Sequence, residues 1–398
     1  MDTLAIPARS RIYSIDFLRG AVMIIMALDH TRDFFHYDAW LHDPLDLQTT
    51  SVFLYFTRWI THFCAPVFVF LAGASAYFQK SRKSTAVLST FLIKRGLWLM
   101  FIEVFVVNLI VTFDPTYSLI GLQTIWAIGT SMFVLGLVVW LPYAAILSLG
   151  VIIVFGHNLL DPVEAAHQGP FPFWWDLLHS SRFSVHPLFG NHAVLIIYPF
   201  VAWAGLMMLG YCFGKFYDPS IQPERRKSML LWTGIGSIVF FTALRASNLY
   251  GNPEQWSVQK NGLFTFLSFM DVHKYPPSLL YMCITIGPAL VFLALFEKWK
   301  NSFTRIVTVY GSVPFLYYLL HFFLIHLLSA ILYLARGHSM SEGANATAGI
   351  RFVAAGEGYS LWIVYLVWIG IVAALYPVCS WFSRYKTAHK NQWWLSYL

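Results

Sequence analysis

Charge is what this sequence has least of. Only 11% of its 398 residues are Asp, Glu, Lys or Arg, against about 25% in an average soluble protein. With 58% hydrophobic residues, the chain is an integral membrane protein, and its net charge of +7 therefore speaks of membrane orientation rather than of nucleic acid. Cysteine is also scarce: Cys64, Cys212, Cys283 and Cys379 lie inside apolar segments without metal-ligand spacing, so they read as small core residues, not as ligands or disulfides. There is no Gly-rich phosphate loop, no HExxH and no nucleophile-elbow serine, which excludes the motif-bearing nucleotide, zinc-protease and hydrolase classes. No internal repeat, low-complexity tract or soluble domain is present. His42-Asp43-Pro44-Leu45-Asp46 has an HxxxD spacing, but five residues without a fold behind them carry no assignment.

What is abundant is apolar sequence. The pattern predicts an all-α polytopic bundle of about ten transmembrane helices forming a single domain over 1–398, at roughly 14–35, 53–78, 88–112, 122–140, 142–157, 191–214, 228–247, 276–297, 306–335 and 358–383. Basic residues fall on alternate connections: Arg9 and Arg11; Lys80, Arg82 and Lys83; Lys215, Arg225, Arg226 and Lys227; Lys298, Lys300 and Arg305; Arg384, Lys386 and Lys390. By the positive-inside rule both termini are then expected in the cytoplasm, and the first apolar run, long and interrupted by charge, is not expected to be a cleaved signal peptide. The 16 Trp and 21 Tyr suit interfacial belts. The outer connections 158–190, with Trp174, Trp175, His179, Arg182 and His186, and 248–275, with Trp256, Lys260, Asp271 and Lys274, mix aromatic and polar residues as any interfacial loop does. Asn345-Ala346-Thr347 matches a glycosylation acceptor, a motif short enough to arise by chance.

The first predicted span breaks the apolar rule. SIDFLRGAVMIIMALDHTRDFF holds Asp16, Arg19, Asp29, His30, Arg32 and Asp33, and ionisable groups within a bilayer are costly enough to point to function. Asp16, Arg19, Met23, Met26, His30 and Asp33 follow alternating steps of three and four and so share one helix face. Arg19 and His30 stand ~16 Å apart along the axis. His30 is the candidate general base, because its ordinary pKa lies near neutrality; Asp33, one turn on, or Asp29 would orient the ring. His62, on the second span, is expected at the depth of His30, with Pro66 kinking that helix and freeing backbone groups. Arg58 precedes it. Glu103 lies deep in span three and needs Arg19 or a proton to satisfy it. Lys94 and Arg95 sit at the inner end of that span, as anchors or phosphate contacts, and Asn108 lies further out. In span nine Tyr317 and His321 share a face, so one of them could line the cavity of His30. Arg245, ending span seven, fits anchoring or substrate binding equally.

Asp16-Phe17-Leu18-Arg19-Gly20 followed by Asp29-His30 resembles the opening of large membrane acyltransferase families, in which an arginine and a histidine separated by ten residues start the first helix. TRWITHFCAPVFVFLAG (Thr57–Gly73) with GSVPFLYYLLH (Gly311–His321) is similar, more particularly, to bacterial relatives of heparan-α-glucosaminide N-acetyltransferase, most strongly over 12–80. The resemblance implies an acyl-CoA-dependent transferase moving an acyl group, usually acetyl, from cytoplasmic acetyl-CoA to an amine or hydroxyl of a sugar or glycan across the membrane, without metal, in a bacterial inner membrane. In that setting Arg19 and Asp16, with Lys94 and Arg95, would hold the acyl donor. Arg58, Asn108, Tyr317 and His321 would meet the acceptor or the oxyanion. The lysosomal enzyme carries an asparagine where this chain has His30, and its proposed catalytic histidine lies further on, so His36, His42 and His62 stay open as the base; the Arg19-to-His30 spacing ranks His30 first. A transporter or lipid-handling permease is the alternative, but inverted repeats and paired broken helices, its usual marks, are lacking. Length and apolar surface permit a monomer or a homodimer.

Overall fold

The computed structural model describes residues 12–180, 183–344 and 349–396; Arg9, Arg11, Arg182 and the Asn345–Thr347 acceptor lie outside them. The described chain is mostly helical. We label the principal helices α1 (Tyr13–Phe35), α2 (Val52–Lys80), α3 (Thr85–Thr112), α4 (Thr124–Val138), α5 (Tyr143–Ala166), α6 (Val201–Phe213), α7 (Pro223–Ser247), α8 (Gly262–Met270), α9 (Leu279–Leu295), α10 (Ser302–Ser312), α11 (Pro314–Ala335) and α12 (Leu361–Ala388). Six of them, α2, α3, α5, α7, α11 and α12, are long and apolar enough to cross a membrane. Two expected spans take a different form. Residues 191–214 begin with a strand and become helical only at Val201, and 306–335 is broken at Val313 because Pro314 starts a new helix, its missing N–H costing nothing at that position.

α1 is central. It packs against α2, α10, α11 and α12, and its contact with α10 is backbone to backbone. A Cβ on Gly20 would stand 2.0 Å from the Val307 carbonyl oxygen, and one on Gly311 would stand 1.9 Å from that of Asp16. Only glycine permits this approach. α2 is interrupted by a 3-10 turn, Ile60–Phe63. Pro66 has no N–H, so the carbonyl of His62, four residues back, loses its helical partner; the Tyr281 hydroxyl of α9 donates to it at 2.9 Å. The freed group was foreseeable, its partner was not.

Three short strands, β1 (Leu119–Leu122), β2 (Ser184–Pro187) and β3 (Ala193–Ile196), form a sheet in the order β1-β3-β2, parallel between β1 and β3 and antiparallel between β2 and β3. Asn108 pins it to α3: its amide nitrogen donates to the Leu119 carbonyl at 3.2 Å and its oxygen accepts from Gly121 N at 3.0 Å. Glu103, wholly buried, is not met by Arg19. Its carboxylate accepts the backbone N–H groups of Gln123 and Trp126, both at 3.2 Å. These are orphan donors at the start of α4, where the helix dipole favours negative charge.

Candidate functional site

One end of α1 opens on a cavity of about 750 Å³. Arg19, Met23 and Met26 line it, three of the six residues whose spacing placed them on one stripe, and Tyr318 and Phe315 of α11 close its depth. Arg19 is held in place. It donates to the Asp16 carboxylate at 2.9 Å, to the Gly311 carbonyl at 3.2 Å and to the Ser75 hydroxyl at 3.4 Å. Arg82, Lys83, Arg95 and Lys386 join it around the wall, so five cations gather from α1, the α2–α3 turn, α3 and α12. Lys94, next to Arg95, points outward, is exposed and does not line the cavity. Burial, with Arg95 nearby, draws the Lys83 ammonium below its ordinary pKa.

Beyond the deep wall the chemistry changes. The Tyr318 ring lies 5.7 Å from His321 and 5.3 Å from Phe322. His30, one turn beyond Met26, stands 5.3 Å from His321 and 3.8 Å from Phe322, centroid to centroid. The His321 Nδ1–H donates to the Tyr317 carbonyl at 2.8 Å, which fixes the tautomer and leaves Nε2 as an acceptor without a partner among the described residues. The Tyr317 ring stacks on His321 at 5.1 Å, its hydroxyl buried and without a partner among the described residues. Span nine thus brings His321 against His30, with Tyr317 stacked on the far ring.

The acidic residues of α1 are placed otherwise than expected. Asp29 accepts from Arg32 at 2.9 Å and from Arg58 of α2 at 2.6 Å, and Arg32 also reaches Asp33 at 2.6 Å. Both carboxylates are committed to guanidiniums rather than to the His30 ring, because two buried cations on facing helices need them. Arg58 further donates to the Thr61 hydroxyl at 3.3 Å. His62 is 1% exposed and neither of its ring nitrogens has a partner among the described residues; its ring meets Tyr281 edge-on at 5.3 Å. Of the other candidate bases, His36 is buried against Tyr37 with its Nδ1 accepting from Asp38 N, while His42 is exposed and pairs with Asp38 at 2.7 Å.

A loop completes this end. Lys274 lies within electrostatic reach of Asp29, His30 and His62, and the Tyr275 hydroxyl is hydrogen-bonded to Arg58 and Tyr198. Burial alone would raise the Tyr275 phenol; the Lys274 and Arg58 charges outweigh it and hold the pKa below the ordinary value. Arg245 holds the loop by donating to the carbonyls of Phe269, Glu254, Ser268 and Asp271. His273 ties the loop to Glu254 at 2.9 Å, and that pairing lifts its pKa against burial. Burial, with Asp43 and Glu254 adding, pushes the Asp271 carboxyl up to about 6. Lys274 and Tyr275 had no sequence signal beyond their place in an aromatic, polar loop.

A second histidine cluster lies on the outer connection. Glu164 accepts from His179 Nδ1 at 2.7 Å, and His179 Nε2 meets His157 Nδ1 at 3.2 Å. No group of three His, Cys, Asp or Glu among the described residues has metal-site geometry. Among known proteins, the family model described as "Heparan-alpha-glucosaminide N-acetyltransferase, catalytic" matches residues 11–244. No individual curated protein matches the chain.

Proposed function

Since this chain belongs to the heparan-alpha-glucosaminide N-acetyltransferase catalytic family, a family of membrane acetyltransferases, we propose that it takes the acetyl group of acetyl-CoA through the basic cavity and delivers it to a sugar at the His30 end. The observation that carries this reading is the continuity of one α1 face, from Arg19 in the cationic mouth through Met23 and Met26 to His30. The volume is of the size that ligand sites have, and its charge suits a donor with phosphates at one end and an apolar, thioester-bearing arm at the other. Arg19, Arg82, Lys83, Arg95 and Lys386 hold the phosphates, guanidiniums doing so by paired hydrogen bonds. Met23 and Met26 flank the arm. The basic residues on alternate connections support a cytoplasmic mouth, with both termini on that side, in a fold of about ten spans, and we assign the protein to a bacterial inner membrane.

At the other end an acceptor amine or hydroxyl enters beside Arg58, Lys274 and Tyr275. His30 removes its proton as the nucleophile attacks the thioester carbonyl. The C–S bond breaks, the acetyl group forms an amide or ester, and the coenzyme thiolate takes back the proton from the imidazolium. His321, its tautomer set by the Tyr317 carbonyl, presents a lone pair that steadies the His30 imidazolium until the thiolate has taken its proton. The Tyr317 hydroxyl is the donor for the oxyanion. Asn108 has no part in this, its amide being spent on β1. Asp29 holds Arg58 and Arg32, and His62 lies behind them as the alternative base. A homodimer is compatible with this scheme and not required by it.

The test uses liposomes with acetyl-labelled acetyl-CoA outside and a pool of glucosamine-containing glycans inside, or the reverse. Labelled glycan that appears only with donor on one face supports transmembrane transfer. Protein that is folded yet neither binds acetyl-CoA nor consumes its thioester would contradict the reading.

A further inference from the structure

A second cavity, of about 530 Å³, opens on the opposite side of the bundle. α5 packs on α6 and α7 packs on α9, and a cleft runs between these two pairs. Most of the spanning length of α5 and α7 faces outward, so in a membrane the cleft opens to the hydrocarbon. From Tyr143 to Val154 it follows α5 for ~16 Å, about half of a ~30 Å hydrocarbon core. It is lined mostly by apolar side chains, and of its hydroxyls Tyr143 donates to the Cys212 carbonyl at 3.2 Å and Ser237 to the Cys283 carbonyl at 3.0 Å. Nothing there would bind a sugar or a nucleotide. A hydrocarbon chain fits.

Gly236 supplies a separate observation. Glycine inside a helix costs ~1 kcal/mol relative to alanine, and its neighbour Gly234 has a packing reason, since a Cβ there would stand 2.7 Å from the Gly287 carbonyl oxygen. A Cβ at Gly236 would meet nothing within 4 Å. Gly236 lines the cleft, and what its missing side chain does is leave the cleft wide. At the end marked by Tyr143 and Phe216 the cleft meets cationic chain. Lys215 is exposed and its Nζ sits 4.7 Å from the Tyr143 ring centroid. Nearby acids are engaged: Asp218 with the Tyr77 hydroxyl, Glu297 with Arg226 and Glu224 with Lys298.

We propose that this cleft binds an anionic phospholipid from the leaflet on the basic side, one acyl chain lying between α5 and α7 and the phosphate resting on Lys215. The lipid would brace α6 and, through it, the α2 helix that carries Arg58 and His62. Native mass spectrometry of the full chain, delipidated and titrated with phosphatidylglycerol or phosphatidylcholine of equal chain length, tests it. Wild type should retain one phosphatidylglycerol about fivefold better than phosphatidylcholine, the size of effect a single lysine near an anionic headgroup provides. Lys215→Glu should remove the preference, and Gly236→Trp should remove the bound lipid. Gly370→Trp, at an open position on α12, should behave as wild type. Gly236→Trp that keeps its lipid, or a wild type indifferent to headgroup, overturns the proposal. Should Gly236→Trp fail to fold, phosphatidylglycerol with a photoreactive tail decides on wild type. Crosslinks concentrated in 143–155 and 233–240 support the site; crosslinks spread evenly onto α12 overturn it.

Discussion

Two histidine clusters can be set side by side. The outer one, Glu164–His179–His157, has the look of a catalytic relay: a buried carboxylate accepts from one imidazole, which accepts from the next, and the His157 Nε2 at its end has no partner among the described residues. The inner one, His30 with His321, has no carboxylate on either ring and is backed instead by a carbonyl and an aromatic ring. By likeness to a triad the outer cluster would win. By place on α1 the inner one ranks first, because His30 lies one turn beyond Met26, which lines the 750 Å³ cavity rimmed by cations, while Trp175 donates to Glu164 at 2.7 Å. A relay is catalytic only where a substrate can reach it.

The sharpest way to break this contrast is His30→Ala, which should lower turnover by ~10²–10⁴, the usual worth of a general base, while His179→Ala changes kcat by less than about threefold. Steady-state kinetics on both variants checks it. Asp29→Asn comes next, since it strips the shared counter-charge from Arg58 and Arg32. Removing one partner of a buried pair costs ~3–5 kcal/mol, seen as a fall in thermal midpoint that Arg58→Ala alone does not add to fully. Arg19→Ala should raise KM for acetyl-CoA about tenfold, in keeping with losing a charged hydrogen-bonding group, with kcat little changed; an unmoved KM would remove Arg19 from donor binding. The smallest effect is electrostatic. Asp271, raised to about 6 by burial, Asp43 and Glu254, binds its proton more tightly folded than unfolded, so its contribution to stability falls as pH rises from about 4 to about 6. Asp271→Asn should flatten that slope in thermal melts.

Much of the inner site was legible in sequence because it rests on one helix. A stripe of three and four steps fixed which α1 residues face together whatever packs on them, and Arg19, Met23 and Met26 do line one cavity. Partner choice was not legible. Asp29 and Asp33 sit beside His30 in the chain, yet they answer to Arg32 and to Arg58 from another helix. Glu103 was expected to need Arg19 or a proton, and it found backbone N–H groups at a helix start, which no side-chain pattern announces. Lys94 and Arg95 are adjacent and diverge because consecutive helical residues face ~100° apart. Lys274 and Tyr275 come from a loop with no periodicity, positioned by Arg245 through carbonyls alone.

The most direct test is acetyl transfer measured on three proteins in matched liposomes: wild type, His30→Ala and His179→Ala. The account predicts transfer lost in His30→Ala and retained in His179→Ala, with labelled acetyl-CoA binding preserved in all three. Transfer that survives in His30→Ala and disappears in His179→Ala would place the chemistry in the outer cluster and contradict it.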